Sequence, residues 1–227
     1  MPLSIAIDGP SGAGKSTIAK ALAKNLGIPY LDTGAMYRAM GIKMLKTGLD
    51  PLDEEAVSAA AESTAVSVSF FNGEQRTFLD GEDVTESLRS PSAGAAASSV
   101  AQWPAVRQNL VTTQRRIAET DDMVLDGRDI GTNVLPGADV KIFLTAQTEI
   151  RARRRYDELT AAGTDILYER VLADIQARDA RDAGRTEDPL RQSEDAIVVD
   201  TSYMTVSEAV DYIAKLCQSR RVERIDN

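Results

Sequence analysis

A parallel β-sheet flanked by α-helices is the fold class this sequence predicts, and three observations predict it. Short apolar runs alternate with longer stretches of helical periodicity, the first apolar run leads directly into a glycine-rich loop, and that loop opens a helix. Leu3 to Ile7 reads as a strand ending at Asp8, and Lys15 to Leu26 as a helix. Ile18, Leu22 and Leu26 recur every four residues on one face of that helix, and Gly27 stops it. Ile28 to Leu31 forms a second strand, followed by a turn at Asp32-Thr33-Gly34 and a helical run from Ala35 to about Lys46.

Between Ala65 and Val84 the pattern changes to alternation, with Val66, Val68 and Phe70 on one phase and an Asn72-Gly73 pair that favours a type I′ hairpin. The expectation is a small antiparallel insert. A helix from Pro104 to Glu119 follows, with proline in the first turn where a missing N–H costs nothing. Met123 to Leu125, Val140 to Leu144 and Ile197 to Val199 are further buried strands, giving about five parallel strands in all. Two charged helical stretches between Thr148 and Ala183 break near Gly163, and Val206, Val210, Ile213 and Leu216 form the buried stripe of a C-terminal helix.

Composition narrows the function. The 227 residues carry a formal charge of −9, whereas general nucleic-acid binders need a broad basic face, so any anion site must be local. Hydrophobic residues at 43% support a sizeable core. The single cysteine, Cys217, can build neither an internal disulfide nor a thiolate cluster and reads as a small buried apolar residue. Histidine is absent, which removes the commonest near-neutral general base and zinc ligand. No apolar run approaches the roughly 20 residues of a membrane span, and the N-terminus has no signal pattern, so a cytoplasmic protein is expected.

Gly9-Pro10-Ser11-Gly12-Ala13-Gly14-Lys15-Ser16 matches G-x-x-x-x-G-K-[ST] at each fixed position, after a strand and opening a helix, which identifies a P-loop. Glycines let the backbone curl so that several N–H groups converge on one phosphate, and the helix N-terminus adds partial positive charge. In this motif Lys15 places its ammonium against the β- and γ-phosphates and the Ser16 hydroxyl ligates Mg²⁺, while Thr17 lies in the first helical turn beside the phosphates rather than as a second metal ligand.

Four blocks stand in order along the chain: Ile5 to Ser11 (IAIDGPS), which runs into the P-loop, then Leu31 to Arg38 (LDTGAMYR), Asp126 to Thr132 (DGRDIGT) and Arg178 to Arg185 (RDARDAGR). Together these four resemble the bacterial cytidylate kinase family of nucleoside monophosphate kinases, over nearly the whole chain. The resemblance implies a P-loop core formed by about residues 1–34, 101–147 and 184–227, a monophosphate-binding insert at about 35–100 that holds the hairpin, and a helical lid at about 148–183. It implies ATP as phosphoryl donor with Mg²⁺ and CMP and dCMP as acceptors; a monomer is expected, and the acidic charge and the lack of an apolar span point to no nucleic-acid or membrane partner.

The chemistry of these blocks fits that reading. Phosphoryl transfer spreads negative charge between two nucleotides, so several cations must converge, and arginine's planar fork suits phosphate. By resemblance Arg38, Arg128 and Arg185 clamp the acceptor phosphate and the group in flight. Thr33 and Tyr37 can face the acceptor phosphate and sugar, with a helix N-cap and core packing as their alternatives. Selectivity for cytosine calls for a carboxylate facing its N4 amino group, and Asp129 is the candidate, with Ser98 and Arg107 completing the pocket by resemblance. Arg178, Asp182 and Arg185 share a helix face on which Asp182 can accept from the ribose, while Arg181 lies off that face and can reach ATP. Asp126 closes a strand in a Walker-B-like position where it can order water around Mg²⁺ or act as a turn acceptor. Of Arg151, Arg153, Arg154 and Arg155 in the lid, one or two can close over ATP, the alternative being a solvated helix face.

The rivals are a kinase of another small acceptor, such as UMP, shikimate or pantothenate, and a nucleotide-dependent regulatory ATPase. The absence of a guanine-reading N-K-x-D motif counts against a GTPase. The phosphate-cradle assignment predicts that Lys15→Ala keeps its fold yet retains less than about a tenth of the parent kcat/KM, a loss above roughly 1.4 kcal/mol. Steady-state kinetics checks this, and a smaller loss contradicts the cradle.

Overall fold

Five strands, all parallel, make the central sheet, in the spatial order Tyr30–Asp32, Met123–Asp126, Ser4–Asp8, Val140–Thr145 and Ile197–Asp200. The computed structural model describes residues 2–225, with side chains to Arg220; the outermost residues of the expected core, 1 and 226–227, lie outside the described residues. In chain order the elements are β1 Ser4–Asp8, α1 Lys15–Leu26, β2 Tyr30–Asp32, α2 Thr33–Thr47, α3 Glu54–Ser63, β3 Val66–Phe71, β4 Glu74–Leu79, β5 Glu82–Asp83, α4 Pro91–Val100, α5 Pro104–Ala118, β6 Met123–Asp126, β7 Val140–Thr145, α6 Thr148–Ala161, α7 Tyr168–Ala183, β8 Ile197–Asp200 and α8 Val206–Ile225. Strands buried on both faces read as continuous apolar runs, as β1 and β6 do.

Alternation along β1 divides the core. Ile5 and Ile7 join Ile18, Leu22, Ile142 and Ile213 beneath α1 and α8, whereas Ala6 faces Leu31, Met36, Met40, Leu110 and Leu125 beneath α2 and α5. The second cluster continues into Val66, Leu79 and Val84, so the antiparallel sheet shares the core of the parallel one. Helices α6 and α7 carry a small cluster of their own around Ala152, Val171 and Ile175.

The Asn72-Gly73 hairpin is present, both residues having positive φ (52° and 77°) as a type I′ turn requires, and β5 adds a third strand to it. Its Gln75 docks on the end of β2, where Oε1 accepts from Asp32 N–H at 2.7 Å. Beside it α2 and α4 pack closely at Gly41, where a Cβ would lie 2.8 Å from the Ala97 nitrogen. That approach explains the small-residue run of α4.

Four expectations need correction. The second strand starts at Tyr30 rather than Ile28, because Gly27 adopts the left-handed cap of α1 (φ 68°) and delays re-entry into the sheet. Thr33 is not the cap of α2: Asp32 is, its Oδ1 accepting from Ala35 N–H at 2.9 Å. α3, capped by Asp53, is an additional helix. On α8 the buried face is Ala209, Val210, Ile213, Ala214 and Cys217, while Val206 is exposed and Leu216 only partly covered, since small alanines let the helix approach the sheet more closely than the larger side chains would.

Gly9 has φ 147°, and a Cβ there would lie 1.9 Å from the carbonyl oxygen of Leu144 in β7, a backbone atom that cannot give way. Gly9→Ala is therefore expected to cost about 3 kcal/mol, a fall in Tm of roughly 6–12 °C. An unchanged calorimetric Tm would contradict this packing.

Candidate active site

The carboxyl ends of β1, β2 and β6 lie side by side, and each ends in an aspartate: Asp8, Asp32 and Asp126. Ligands bind at this edge of parallel sheets, where loops leave for opposite faces. Gly9 to Ser16 wraps here from β1 into α1, with Gly12 and Gly14 at positive φ (76° and 88°). Gly14 caps α1 without a side chain, so the first N–H groups of the helix remain available to an anion. Pro10, Ser11 and Ala13 fill the intervening turn. Thr17 is exposed on the first turn of α1.

Lys15 is buried, its Nζ donating to the Pro10 carbonyl at 2.8 Å. Burial, with Arg128 and Arg178 adding to it, pushes the ammonium down to about 7. Ser16 Oγ donates to Asp126 Oδ2 at 2.9 Å and the Tyr30 hydroxyl to Oδ1 at 2.8 Å. Burial raises the Asp126 carboxyl, and the nearby Asp32 raises it further. These hard oxygen groups suit Mg²⁺, which keeps most of its own waters and takes few protein ligands. No cluster of three or more His, Cys, Asp or Glu is present among the described residues.

Asp8 was not among the sequence candidates. Its two oxygens accept from Ile130 N–H (2.8 Å) and Gly131 N–H (2.7 Å), fastening the strand before the P-loop to the loop that carries Arg128 and Asp129. Burial lifts its carboxyl to about 6, against the lowering effect of those two bonds. A carboxylate after a strand is too common for sequence alone to single it out.

A cluster of cations faces the P-loop. Arg38 pairs with Asp32 at 2.6 Å. Arg128 Nε donates to Asp182 Oδ2 (2.8 Å) and Arg185 Nη2 to Asp182 Oδ1 (2.6 Å). Asp182 is thus gripped by an arginine on each oxygen and is almost wholly buried. Arg178 has a buried Nε with no partner among the described residues, and burial, with Arg128 adding, pushes its guanidinium down to about 10. Arg181 is exposed at the cleft wall, where its Nε reaches the Ala177 carbonyl.

Farther along the same cleft, the Tyr37 hydroxyl and Ser98 Oγ are buried without a partner among the described residues. Thr33, buried in the cleft wall, donates from Oγ1 to the Asp126 carbonyl at 2.7 Å. Arg107, placed on a helix where a solvated side chain is the ordinary expectation, is 3% exposed; it lies over the Tyr37 ring and donates to Asp129 Oδ2 and to Asp188 Oδ2 (2.9 Å). Sequence reading passed over Asp188 and Asn133, which also reaches Asp129.

The arginines of α6 divide. Arg151 is buried, donating to the Ser11 carbonyl (3.0 Å) and pairing with Asp179 (2.7 Å), and Arg153 stacks on Tyr156 and Tyr168. Arg154, bound to Thr201, and Arg155 line the cleft.

This cleft, with a P-loop at one end and unpartnered polar groups at the other, invites comparison with known proteins. A family model described as cytidylate kinase matches residues 5–219. The chain belongs to the cytidylate kinase family. A cytidylate kinase of Caldanaerobacter subterraneus subsp. tengcongensis is 51% identical over 213 residues, covering 94% of this chain and 93% of its own. One from Mycolicibacterium paratuberculosis is 50% identical, covering 95% of each chain. Among solved structures, a protein from Eubacterium ventriosum aligns with TM-score 0.54 at 15% identity over 96% of this chain and 99% of that one, and a gluconokinase from Sinorhizobium meliloti with TM-score 0.50 at 18% identity over 99% and 95%. At such identities these two share the fold. As a member of a kinase family the chain is a phosphotransferase with ATP as donor.

The depressed ammonium of Lys15 carries a pH signature. Bound phosphates raise its pKa from about 7 toward the ordinary lysine value, so ATP binding takes up protons between those limits and weakens as pH rises through them. Titration calorimetry at pH 8 in two buffers of different ionisation enthalpy should show uptake approaching about one proton, lost in Lys15→Ala. Equal enthalpies in both buffers would contradict the burial of a neutralised lysine.

Proposed function

We infer that this chain transfers the terminal phosphoryl group of ATP to CMP and dCMP, giving ADP with CDP or dCDP. The observation that carries the reading is the cluster of a buried Lys15 with the half-buried Arg128, Arg178 and Arg185, set in one cleft of a chain with net charge −9. Two phosphate chains meeting end to end supply the counter-charge such a cluster lacks. Gly9 to Ser16 cradles the donor phosphates, with Thr17 beside them. Lys15 bridges to the transferred group. Arg38, Arg128 and Arg185 hold the acceptor phosphate, and the unpartnered Arg178 Nε is aimed at the same anion.

Transfer is direct and in line. The acceptor phosphate is itself an anionic nucleophile, so no protein base is required, in keeping with a chain that has no histidine. Mg²⁺ would be held by Ser16 Oγ, with Asp126 ordering a metal-bound water, and supplies charge neutralisation across the phosphates when bound. Asp182 holds Arg128 and Arg185 and offers its remaining lone pairs to the ribose. Thr33 shapes the acceptor side through its bond to the Asp126 carbonyl, and Tyr37 Oη and Ser98 Oγ offer unspent hydrogen bonds to the nucleoside. Asp129 and Arg107 read the base. Arg181, with Arg154 and Arg155 of the lid, lies on the ATP side. The division into core, insert (about 35–100) and lid (about 148–183), a monomeric state and a cytoplasmic location belong to this proposal; no helix among the described residues is long and apolar enough to cross a membrane.

Acceptor-dependent ADP release across CMP, dCMP, UMP, AMP and shikimate tests the reading, and CMP and dCMP are expected to lead. Greater turnover with UMP or shikimate, or release without any acceptor, would overturn it. Because Asp182 both faces the sugar and fixes two arginines, Asp182→Ala should lower kcat/KM for CMP by about 100-fold, roughly 2.7 kcal/mol, with KM for ATP within about twofold. Equal weakening of ATP binding would move Asp182 to the donor side.

A further inference from the structure

Four side chains from three parts of the fold close a ring at the far end of the cleft. Arg107 on α5 donates from Nη2 to Asp129 Oδ2 and from Nε to Asp188 Oδ2 at 2.9 Å. Asn133, one turn beyond Asp129, donates from Nδ2 to the same two oxygens, at 3.1 Å and 2.8 Å. Because both neighbours are carboxylates, the amide nitrogen must face them; its oxygen faces Arg115 Nη2 at 3.4 Å, and Arg115 further holds the Asn133 and Val134 carbonyls. Asp188, in the segment after α7, keeps its place in the ring at φ 46°, a conformation rare for residues with a side chain and tolerated best by Asp and Asn.

The ring decides which atoms remain for a ligand. Both donors that reach Asp129 land on Oδ2, so Oδ1 keeps its accepting capacity, with no partner among the described residues. Arg107 spends Nε and one Nη2 hydrogen on the ring, while Nη1 has only a 3.5 Å contact with the Ala101 carbonyl. One buried acceptor beside one buried cationic donor is the complement of cytosine's edge, an amino donor next to ring and carbonyl acceptors. Uracil presents a carbonyl and an N–H there, in the reverse order. An Arg–Asp pair without Asp188 and Asn133 is free to pivot into a symmetric two-bond fork, which consumes Oδ1 and erases the pattern.

We propose that Asn133 and Asp188 are specificity-determining positioning residues, which hold Arg107 and Asp129 in the one arrangement that leaves Oδ1 and Nη1 facing the base. The proposal rests on the reading of Asp129 and Arg107 as the base contacts. Neither residue need touch the substrate.

The test is the ratio of kcat/KM for CMP to that for UMP in Asn133→Ala, Asp188→Ala, the double variant and Asp129→Ala. Each of the first two should lower the ratio by about tenfold or more, chiefly through KM for CMP, with KM for ATP within about twofold. The double variant should be little worse than the poorer single one, since either change opens the ring. Thermal unfolding of each variant separates folding from selectivity, and Asn133→Ala, a neutral change, carries the test should Asp188→Ala not fold. If Asp129→Ala collapses the ratio while the Asn133 and Asp188 variants lose CMP and UMP activity in equal proportion, this inference fails and the function stands. A ratio unmoved by Asp129→Ala overturns the base-reading assignment and the inference together.

Discussion

Holding several cations close together in a half-buried cleft before any anion arrives is the constraint on which the rest of this structure depends. Each pays a desolvation cost and repels the others, and the depressed ammonium of Lys15 and guanidinium of Arg178 record both effects. The fold answers by placing a carboxylate behind each of the other arginines: Asp32 behind Arg38, Asp182 behind Arg128 and Arg185, and Asp129 with Asp188 behind Arg107. A guanidinium has two edges, so one can be anchored while the other stays turned to the cleft. The cluster is thereby positioned but not neutralised. That is the state in which bound phosphates gain most, since no reorganisation is left for the moment of transfer.

The parallel sheet supplies the frame for this arrangement. Three adjacent strands end in aspartates at the same edge, and each serves a different loop: Asp8 holds the backbone of Ile130 and Gly131, Asp32 caps α2 and anchors Arg38, and Asp126 gathers Ser16 and Tyr30. Phosphate loop and acceptor loops are thus tied to one rigid element and, through it, to each other. Helices α6 and α7 differ: they share a small apolar cluster of their own, Arg151 of α6 pairs with Asp179 of α7, and the bond of Arg151 to the Ser11 carbonyl reaches the P-loop.

Local chemistry was readable without coordinates. The P-loop motif lies within eight consecutive residues and follows a strand, the Asn72-Gly73 turn is specified by its two residues, and Arg178, Asp182 and Arg185 share a face by helical spacing alone. Less regular features escaped. α3 buries only Val57 and Ala61, and the buried face of α8 includes Ala209 and Ala214, which a search for large apolar side chains passes over.

The sequence by itself determined that a phosphate-binding loop opens a parallel α/β fold and that arginines stand in blocks able to meet a second phosphate, because those properties reside in neighbouring residues. Only the tertiary structure decided what each charge does. Arg107 and Asp188 are 81 residues apart, and Asp8 and Ile130 are 122 apart. A lone arginine on a helix, a lone aspartate in a loop and an asparagine just past a motif each have a bland reading in sequence. Pairing between distant charges depends on how strands and helices stack, and that stacking brings Arg107, Asp129, Asn133 and Asp188 onto one another.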